Sequence, residues 1–250
     1  MYGAVTQLTP SAREMVLGEL PAWGIDALAR FKRDLNSETA PFPCTFAVSA
    51  LHRENLRVAF IDGVRDETGW NALPQLLEEY VAAVPDMDRI TSFVVFFRLD
   101  RGDESQHLEW YEDRFWTILN YLHAHDPSPW PADLPRNPDD PRWEFAFAGQ
   151  PIFVVCNAPA YRQRRSRRSS EMMITFQPRS VFEGLEAETP RGQAARRTIR
   201  KRLARYDAPL FPSPALGSYG ETGNREWKQY FLRDSNDDPG PPRCPFHPAR

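Results

Sequence analysis

The residues best suited to chemistry lie in the stretch Leu122–Pro131, which reads Leu-His-Ala-His-Asp-Pro-Ser-Pro-Trp-Pro. A neutral imidazole beside an apolar cavity is a good iron ligand, and a nearby carboxylate can orient its second ring nitrogen. His123 and His125 share helix flanks with apolar residues of the preceding turns, so either could face a pocket. Asp126 is then the candidate orienting carboxylate. The simpler alternative is that both histidines only help to end a helix, where positive charge is favourable.

Three cysteines add soft-ligand candidates, but their number is odd and their spacings are wide. That pattern argues against a disulfide framework and against a zinc ribbon, which needs paired Cys-x-x-Cys units. Cys244 stands three residues before His247, close enough to share one site with it, and Cys44 is a further candidate. A thiolate ligand on heme would favour O–O cleavage, whereas a histidine ligand would serve binding or other oxygen chemistry. Spacing does not separate these roles from that of an inert buried cysteine.

Charge is distributed unevenly along the 250 residues, which carry a net charge of −3 with histidine neutral. The segments 162–168 and 191–205 are strongly basic. Guanidinium groups bind carboxylates and phosphates in bidentate fashion, so the first segment could hold an anion. Nucleic acid is a competing ligand, although no aromatic residue is interleaved in that segment, and a solvated charged face is the more common explanation.

Glu144 alternates with aromatic residues on a β-like segment. A carboxylate that projects among aromatic side chains would suit a cationic substrate group, whereas one at a strand edge would simply reach water. The chain contains no glycine-rich phosphate loop, no Gly-x-Ser-x-Gly elbow and no His-Glu-x-x-His unit. Their absence removes the usual nucleotide-binding, hydrolase and zinc-protease functions.

The hydrophobic pattern predicts an α+β fold, a single domain with a mostly antiparallel sheet of about six strands and packed helices. A helical entry over residues 1–40 leads into an α+β domain over residues 41–250. Helices are predicted from Ser11, at Gly24–Leu35, from Asp66 to before Pro85, from Asp103 to Asp126 and at Thr189–Tyr206. Strands are predicted at Thr45–Leu51, Leu56–Ile61, Ser92–Arg98 (the central strand), Arg142–Phe147, Pro151–Cys156, Glu171–Gln177 and Trp227–Leu232.

No apolar run approaches the roughly 20 residues needed to cross a bilayer, and the sequence does not open with a signal-peptide pattern. A cytoplasmic location is therefore expected.

Eight separated motifs between about Pro41 and His247 together resemble the YqcI/YcgG family, although no single motif would suffice. The motifs are Phe42-Pro-Cys44, Leu122-His-Ala-His-Asp126 with Pro129-Trp-Pro131, Trp143-Glu-Phe-Ala-Phe-Ala-Gly-Gln-Pro-Ile-Phe153, Cys156-Asn-Ala-Pro159, Arg164-Arg-Ser-Arg167, Phe176-Gln-Pro-Arg179, Trp227-Lys-Gln-Tyr-Phe231 and Cys244-Pro-Phe-His247.

The resemblance implies a heme-dependent enzyme, because family members with assigned roles are heme-dependent N-hydroxylases of guanidine groups. It implies heme b as the cofactor, dioxygen with an external electron donor as co-substrates, and L-arginine or an arginine-derived compound as the substrate in specialised metabolism. An electron-donating reductase and a homodimer are compatible with this function. Neither a nucleic-acid partner nor a membrane partner is expected.

The resemblance also implies site residues. His123 is the leading axial-ligand candidate because its Leu-His-x-x-Asp unit matches the family, with His247 and Cys44 as alternatives. Glu144 and Asp126 are the catalytic carboxylates, and Glu144 would hold the guanidinium group. The remaining cofactor-binding candidates are Trp130 in the pocket wall and Arg164, Arg165 and Arg167, whose guanidinium groups would bind heme propionates.

Two other functions stay open at this point. A non-enzymatic heme sensor or carrier would show the same histidine and basic features, but it would not oxidise arginine. A nucleic-acid-binding protein would rest on the two arginine-rich segments, and it predicts a strongly salt-dependent affinity.

Overall fold

A five-stranded mixed sheet forms the centre of the computed structural model, which describes residues 14–186 and 188–247. The strands are β1 (Leu56–Ile61), β2 (Ser92–Phe97), β3 (Phe145–Phe147), β4 (Gln150–Asn157) and β5 (Met172–Pro178). Their order is β1-β2-β5-β4-β3. The β1/β2 pairing is parallel, and the other three pairings are antiparallel. The predicted α+β class is confirmed, although the sheet has five strands instead of about six.

Helices cover both faces of this sheet. They are α1 (Ala22–Leu35), α2 (Thr45–His52), α3 (Glu67–Trp70), α4 (Leu73–Ala83), α5 (Leu108–Ala124), α6 (Pro190–Tyr206) and α7 (Trp227–Tyr230). Ser11, where a helix was predicted to start, lies outside the described residues. Among the residues that the structure describes, no helix combines the length and apolarity that a membrane crossing requires.

Strand β2 occupies the interior position that its unbroken apolar sequence predicts. All six of its residues are buried, with β1 on one side and β5 on the other. A parallel pair such as β1/β2 needs a crossover connection, and α3 and α4 provide it. Asp66 starts this crossover as predicted, because its carboxylate accepts hydrogen bonds from the amides of Thr68 at 3.1 Å and Gly69 at 3.4 Å.

The strand predicted at Thr45–Leu51 is wrong, because these residues form α2. Periodicity alone cannot assign a short apolar run to a strand or a helix, and the two alanines of this run favour a helix. Cys44 precedes the helix with an extended backbone, and its carbonyl accepts a hydrogen bond from the amide of Val48 at 3.3 Å. Cys44 therefore lies at the start of a helix.

The strand predicted at Trp227–Leu232 is also wrong. Residues 227–230 form the single turn α7, in which Trp227 and Tyr230 are both buried. Their spacing of three residues puts both aromatic rings on one side of a helical turn, whereas a strand would have pointed them to opposite faces.

The alternation of side chains along β2 separates two cores. Phe93, Val95 and Phe97 pack in the core that includes α4 and α5, on the side we call the α5 face. Val94 and Phe96 pack in the core that includes α1 and α2, on the side we call the α2 face. Residues on one face are therefore separated from those on the other by the thickness of the sheet.

Candidate active site

A cavity of about 540 Å³ lies on the α2 face. Alternate residues of β2, β4 and β5 form its floor, and α1, α2 and α6 contribute its walls. Cofactor and small-molecule sites have volumes of about 300–1,000 Å³ and are mostly apolar. The main apolar side chains of this cavity are Phe31, Phe42, Phe46, Val94, Phe96 and Phe153.

Cys44 lines this cavity at the N-terminus of α2. Burial raises the pKa of its thiol, while the backbone amides of Ala47 and Phe46 and the guanidinium of Arg167 act in the opposite direction. Amide dipoles at a helix start and a nearby cation both favour a thiolate over a thiol. Burial outweighs these effects and the pKa stays raised, so ionisation of Cys44 would need a bound cation such as a metal ion.

Arg167 brings a buried positive charge to the same cavity, since only 8% of its surface is exposed. Its guanidinium donates hydrogen bonds to the carbonyls of Gln229 at 3.1 Å and Tyr230 at 3.4 Å. No carboxylate of the described residues lies within 4 Å of it, and burial lowers its pKa. Buried charges are normally paired, so the site is short of an anion.

Glu144 is fully buried, but its carboxylate is already engaged. Arg179 binds both of its oxygens, with Nε to Oε2 at 2.7 Å and Nη2 to Oε1. The same Nη2 reaches Glu226 Oε1 at 3.2 Å, and the guanidinium stacks on the ring of Tyr219 at 3.7 Å from its centroid. Arg179, Glu226 and Tyr219 line the cavity. Glu144 is not among the lining residues and binds Arg179 from the side away from the cavity.

This cluster has two carboxylates for one guanidinium. Burial raises the pKa of Glu144 to about 7, against the effect of Arg179. Burial also raises the pKa of Glu226, whose Oε2 accepts hydrogen bonds from Asn224 at 2.9 Å and Gln229 at 3.1 Å. The two carboxylates keep Arg179 charged by raising its pKa despite burial. When both acids are ionised, the cluster presents a surplus negative charge to the cavity.

Arginines also surround the cavity outside this cluster. Arg30 pairs with Glu171, and its Nε donates to Ser170 Oγ at 2.9 Å. Arg168 and Arg200 line the cavity with exposed side chains. Such a rim suits the carboxylates of a ligand whose apolar part lies deeper.

His123 lies on the α5 face and is not among the residues lining the cavity. Its ring centroid lies 5.5 Å from that of Trp130 and 5.1 Å from that of Phe246. Neither ring nitrogen has a hydrogen-bond partner among the described residues, and burial lowers the pKa of the imidazole. The sheet therefore separates His123 from Cys44, so the two residues cannot contribute to one ligand pocket.

Asp126 makes contacts that close the end of α5. Its Oδ1 accepts hydrogen bonds from the amides of Ser128 and Ala148, both at 2.9 Å, which ties the helix end to the β3–β4 turn. His125 is exposed, and its Nδ1 lies 2.8 Å from the carbonyl of Tyr121. His125 therefore has the helix-ending role that the simpler alternative describes, and Asp126 also helps to close the helix end.

Trp130 and His247 also lie away from the cavity. Trp130 is buried and donates its indole N–H to the carbonyl of Leu134 at 3.0 Å. The backbone amide of His247 donates to Asn120 Oδ1 at 2.8 Å, while its side chain is exposed. The contact of His247 fastens the end of the described chain to α5.

Among the arginines of the basic loop, only Arg167 and Arg168 line the cavity. Arg164 is buried and donates from Nε to the carbonyl of Arg233 at 2.8 Å, which ties the loop to the C-terminal segment. Arg165 lies over the ring of Tyr206 at 4.3 Å from its centroid. These contacts give Arg164 and Arg165 packing roles.

A second cavity, of about 590 Å³, lies between the loops around residues 213–225 and 235–241. Its described lining includes Glu112 and Trp116 of α5 but no cysteine or histidine. Across the described ranges, no group of three or more His, Cys, Asp and Glu side chains is placed to hold a metal ion. Of these two cavities, the one on the α2 face joins a soft ligand to an apolar volume.

The sequence reasoning missed the pairing of Arg179 with Glu144 and Glu226. Arg179 is 35 residues from the first and 47 from the second, so no local spacing could reveal their contact. The one available signal was the Phe-Gln-Pro-Arg motif, in which Pro178 ends β5 and leaves Arg179 at its end.

The YqcI/YcgG family matches residues 31–247 of this chain. The match covers most of the sequence, and the chain belongs to this family. The resemblance drawn from the eight motifs is thus confirmed.

Three relatives show how far the likeness extends. YcgG of Bacillus subtilis is 40% identical over 241 residues, which cover 95% of this chain and 93% of the relative. YqcI of Bacillus subtilis is 38% identical over 235 residues, 93% of this chain and 91% of the relative. A Streptomyces lavendulae protein named "Putative N(omega)-hydroxy-L-arginine synthase DcsA" is 33% identical over 241 residues, 94% of this chain and 88% of the relative. No solved structure matches this chain.

Proposed function

We propose that this protein is a heme-dependent enzyme that hydroxylates a guanidine nitrogen of L-arginine or of an arginine-derived compound. The name of DcsA, which describes the synthesis of Nω-hydroxy-L-arginine, supports the reaction. The observation that carries the cofactor part is the α2-face cavity, where an apolar volume adjoins Cys44 and Arg167. Dioxygen and an external electron donor complete the proposal.

The residues of the cavity fit a heme. Apolar side chains would contact the macrocycle, and the rim arginines would bind its propionates. Cys44 would hold the heme iron, because it lies in the cavity, and a metal-bound thiol loses its proton. Bound heme would supply the activation of dioxygen, for which a thiolate ligand favours O–O cleavage. The assignment to His123 stays a prediction from the sequence.

Arg167 would balance the negative charge of that thiolate. An ionised Cys44 would give the buried guanidinium the anionic partner that the described residues do not provide. Its hydrogen bonds to the carbonyls of α7 residues Gln229 and Tyr230 hold the guanidinium in place. We therefore assign Arg167 as a positioning residue for the ligand.

The substrate guanidinium is assigned to Glu226 and not to Glu144. Both oxygens of Glu144 bind Arg179, so Glu144 acts by fixing Arg179. Glu226 lines the cavity and carries the surplus negative charge of the cluster. A cationic guanidine group would be held there by charge-assisted hydrogen bonds.

The overall reaction balances with a two-electron donor. One guanidine N–H, one dioxygen, two electrons and two protons give one N–OH and one water. The contribution of this chain is to exclude bulk water with the apolar walls and to orient the guanidine nitrogen through Glu226.

Heme titration followed by product analysis tests the proposal. The purified protein is titrated with hemin while its absorption spectrum is recorded, then supplied with L-arginine, dioxygen and a chemical reductant. We expect stoichiometric heme and hydroxyarginine detectable by mass spectrometry. A protein that refuses heme would contradict the cofactor assignment. Heme binding without any product would instead favour a sensor or carrier.

A matched pair of variants tests the substrate site. Glu226→Gln removes the surplus charge, and we expect KM for L-arginine to rise by about tenfold or more, because a charge-assisted contact is lost. Glu221→Gln is the control, since Glu221 is exposed and belongs to the same loop region. Equal KM values for the two variants would remove Glu226 from the site.

A further inference from the structure

Helix α6 concentrates positive charge to an unusual degree for this chain. It contains seven arginine and lysine side chains and no acidic one. Because the whole chain has a net charge of −3 and this helix contributes +7, the remaining residues carry −10. An attraction toward anionic partners is therefore concentrated on one element.

The helix divides its two sides between the cavity and the solvent. Gly192, Ala195, Ile199 and Leu203 follow a spacing of three to four residues, and all line the α2-face cavity. On the opposite side of α6, away from the cavity, three basic residues spaced four positions apart have exposed side chains. This outer stripe consists of Arg197, Lys201 and Arg205.

The outer stripe has no carboxylate within 4 Å among the described residues. Several other basic side chains near the surface do have such partners. Arg225 pairs with Asp139 at 3.1 Å, and Arg233 pairs with Glu109 at 3.0 Å. Because no described carboxylate neutralises it, the positive charge of the outer stripe is available to attract an anionic partner.

We propose that the outer stripe of α6 is the docking surface for an acidic electron-donor protein. This inference rests on the proposed function, which requires two electrons per turnover. A donor on this stripe would be separated from the cavity by α6 alone, about 10–12 Å of protein. Each docking event would oxidise the donor by one electron and reduce the cavity-bound cofactor by one. Electron-transfer encounters are small and weak, so charge complementarity would dominate recognition.

Two other anionic partners fit the structure less well. A basic amphipathic helix binds a bilayer through its apolar side, but the apolar side of α6 faces the cavity. The outer stripe contains no aromatic side chain on which bases could stack, and nucleic-acid binders are usually basic overall. A protein with an acidic surface needs neither feature.

Binding of a reduced, acidic plant-type [2Fe–2S] ferredoxin tests the proposal. The variant Arg197→Glu/Lys201→Glu/Arg205→Glu is compared with Arg101→Glu/Arg162→Glu/Arg243→Glu, which makes the same charge change at exposed arginines outside α6. We expect the first variant to weaken affinity by about tenfold or more and the second by less than about twofold at low salt. The wild-type affinity should fall as salt rises.

Two readouts keep this proposal separate from the heme assignment. Ferredoxin binding is measured on the protein with and without heme, so a protein that refuses heme can still show the docking surface. Heme content and turnover with a chemical reductant should be the same in the α6 variant and the wild type, which shows that the fold is intact. Equal ferredoxin affinities for the two triple variants would overturn the proposal. Tighter binding of a DNA duplex or of phosphatidylserine vesicles, lost only in the α6 variant, would also overturn it.

Discussion

The two faces of the sheet are filled in opposite ways. On the α5 face, Trp130, Trp143 and Phe246 pack against one another and around His123, with ring centroids 5.1–6.4 Å apart. On the α2 face, the side chains leave a cavity of about 540 Å³ beside Cys44. His123, Cys156 and Cys244 lie on the α5 face, whereas Cys44 is the one cysteine or histidine among the lining residues of this cavity.

This difference shows why residue type alone does not define a ligand site. A cofactor ligand needs an open coordination direction and neighbours that stabilise its ligating form. Cys44 has the open direction, since it lines the cavity, although burial outweighs the effect of Arg167 and keeps the pKa of its thiol raised. His123 lines neither of the two cavities described above, although burial lowers the pKa of its ring and so favours the neutral imidazole, which is the form that binds a metal.

The largest effect should come from removing the thiol. We expect Cys44→Ala to lose the absorption signature of thiolate-ligated heme, and to lose most heme affinity, because the proposed axial ligand is gone. Cys156→Ala is the control, as Cys156 is fully buried on the α5 face. An unchanged heme spectrum in Cys44→Ala, together with loss of heme in His123→Phe, would reverse the comparison of the two faces.

A smaller effect is expected from the buried cation. Arg167→Leu should weaken heme binding by about 10–100-fold, since residues that support a ligand contribute that much. Heme-free Arg167→Leu should unfold at the same temperature as the wild type or higher, because an unpaired buried charge is removed. Arg167→Lys keeps the charge and should retain more heme affinity. Equal heme affinity in all three proteins would exclude the proposed pairing with Cys44.

The α5 face makes its own prediction about stability. His123→Phe should leave the free energy of unfolding unchanged or raise it by about 1 kcal/mol, because two buried, unpaired ring nitrogens are replaced by carbon. Burial lowers the pKa of His123, so the unfolded chain takes up a proton at higher pH than the folded protein. Stability should therefore fall as pH drops below about 6.5, and this component should be absent in the variant.

Urea unfolding of both proteins at about pH 5 and pH 7.5 measures that difference. A large loss of stability in His123→Phe at neutral pH would mean that the imidazole has a stabilising partner. That result would give the α5 face a polar site that its packing does not show.

Much of the scaffold was predictable because its signals are local. The unbroken apolar run of β2, the glycine-containing turn between β3 and β4, and the cap at Thr189 each act within a few residues. The segments that became α2 and α7 were misassigned for the same reason. Each is a short apolar run whose helical state depends on how it packs against the rest of the fold.

The candidate site was only partly predictable. Cys44, Arg167 and Glu144 were all named from the sequence, and His123 ranked first because its Leu-His-x-x-Asp unit matches the family. Local spacing could not show that His123 and Cys44 lie on opposite faces of the sheet. The partners of Glu144 arise from contacts between distant segments, which no spacing within one segment encodes. Contacts between segments distant in sequence, and not the types of residue present, distinguish the site on the α2 face from the packed α5 face.

The smallest expected effect concerns the pH dependence of substrate binding on the α2 face. The pKa of Glu144 is raised to about 7, so below that pH Glu144 is protonated. Ionisation of Glu144 above that pH adds one negative charge to the cluster. The guanidinium of arginine stays protonated throughout, with a pKa above about 12.

We therefore expect L-arginine affinity, measured by calorimetry at constant ionic strength, to increase several-fold between about pH 6 and pH 8. In Glu226→Gln the increase should move to lower pH and start from a weaker affinity, because the charge of Glu226 helps to raise the pKa of Glu144. A wild-type affinity independent of pH would show that this cluster does not bind the guanidinium, and the cationic substrate would then have to be held elsewhere in the cavity.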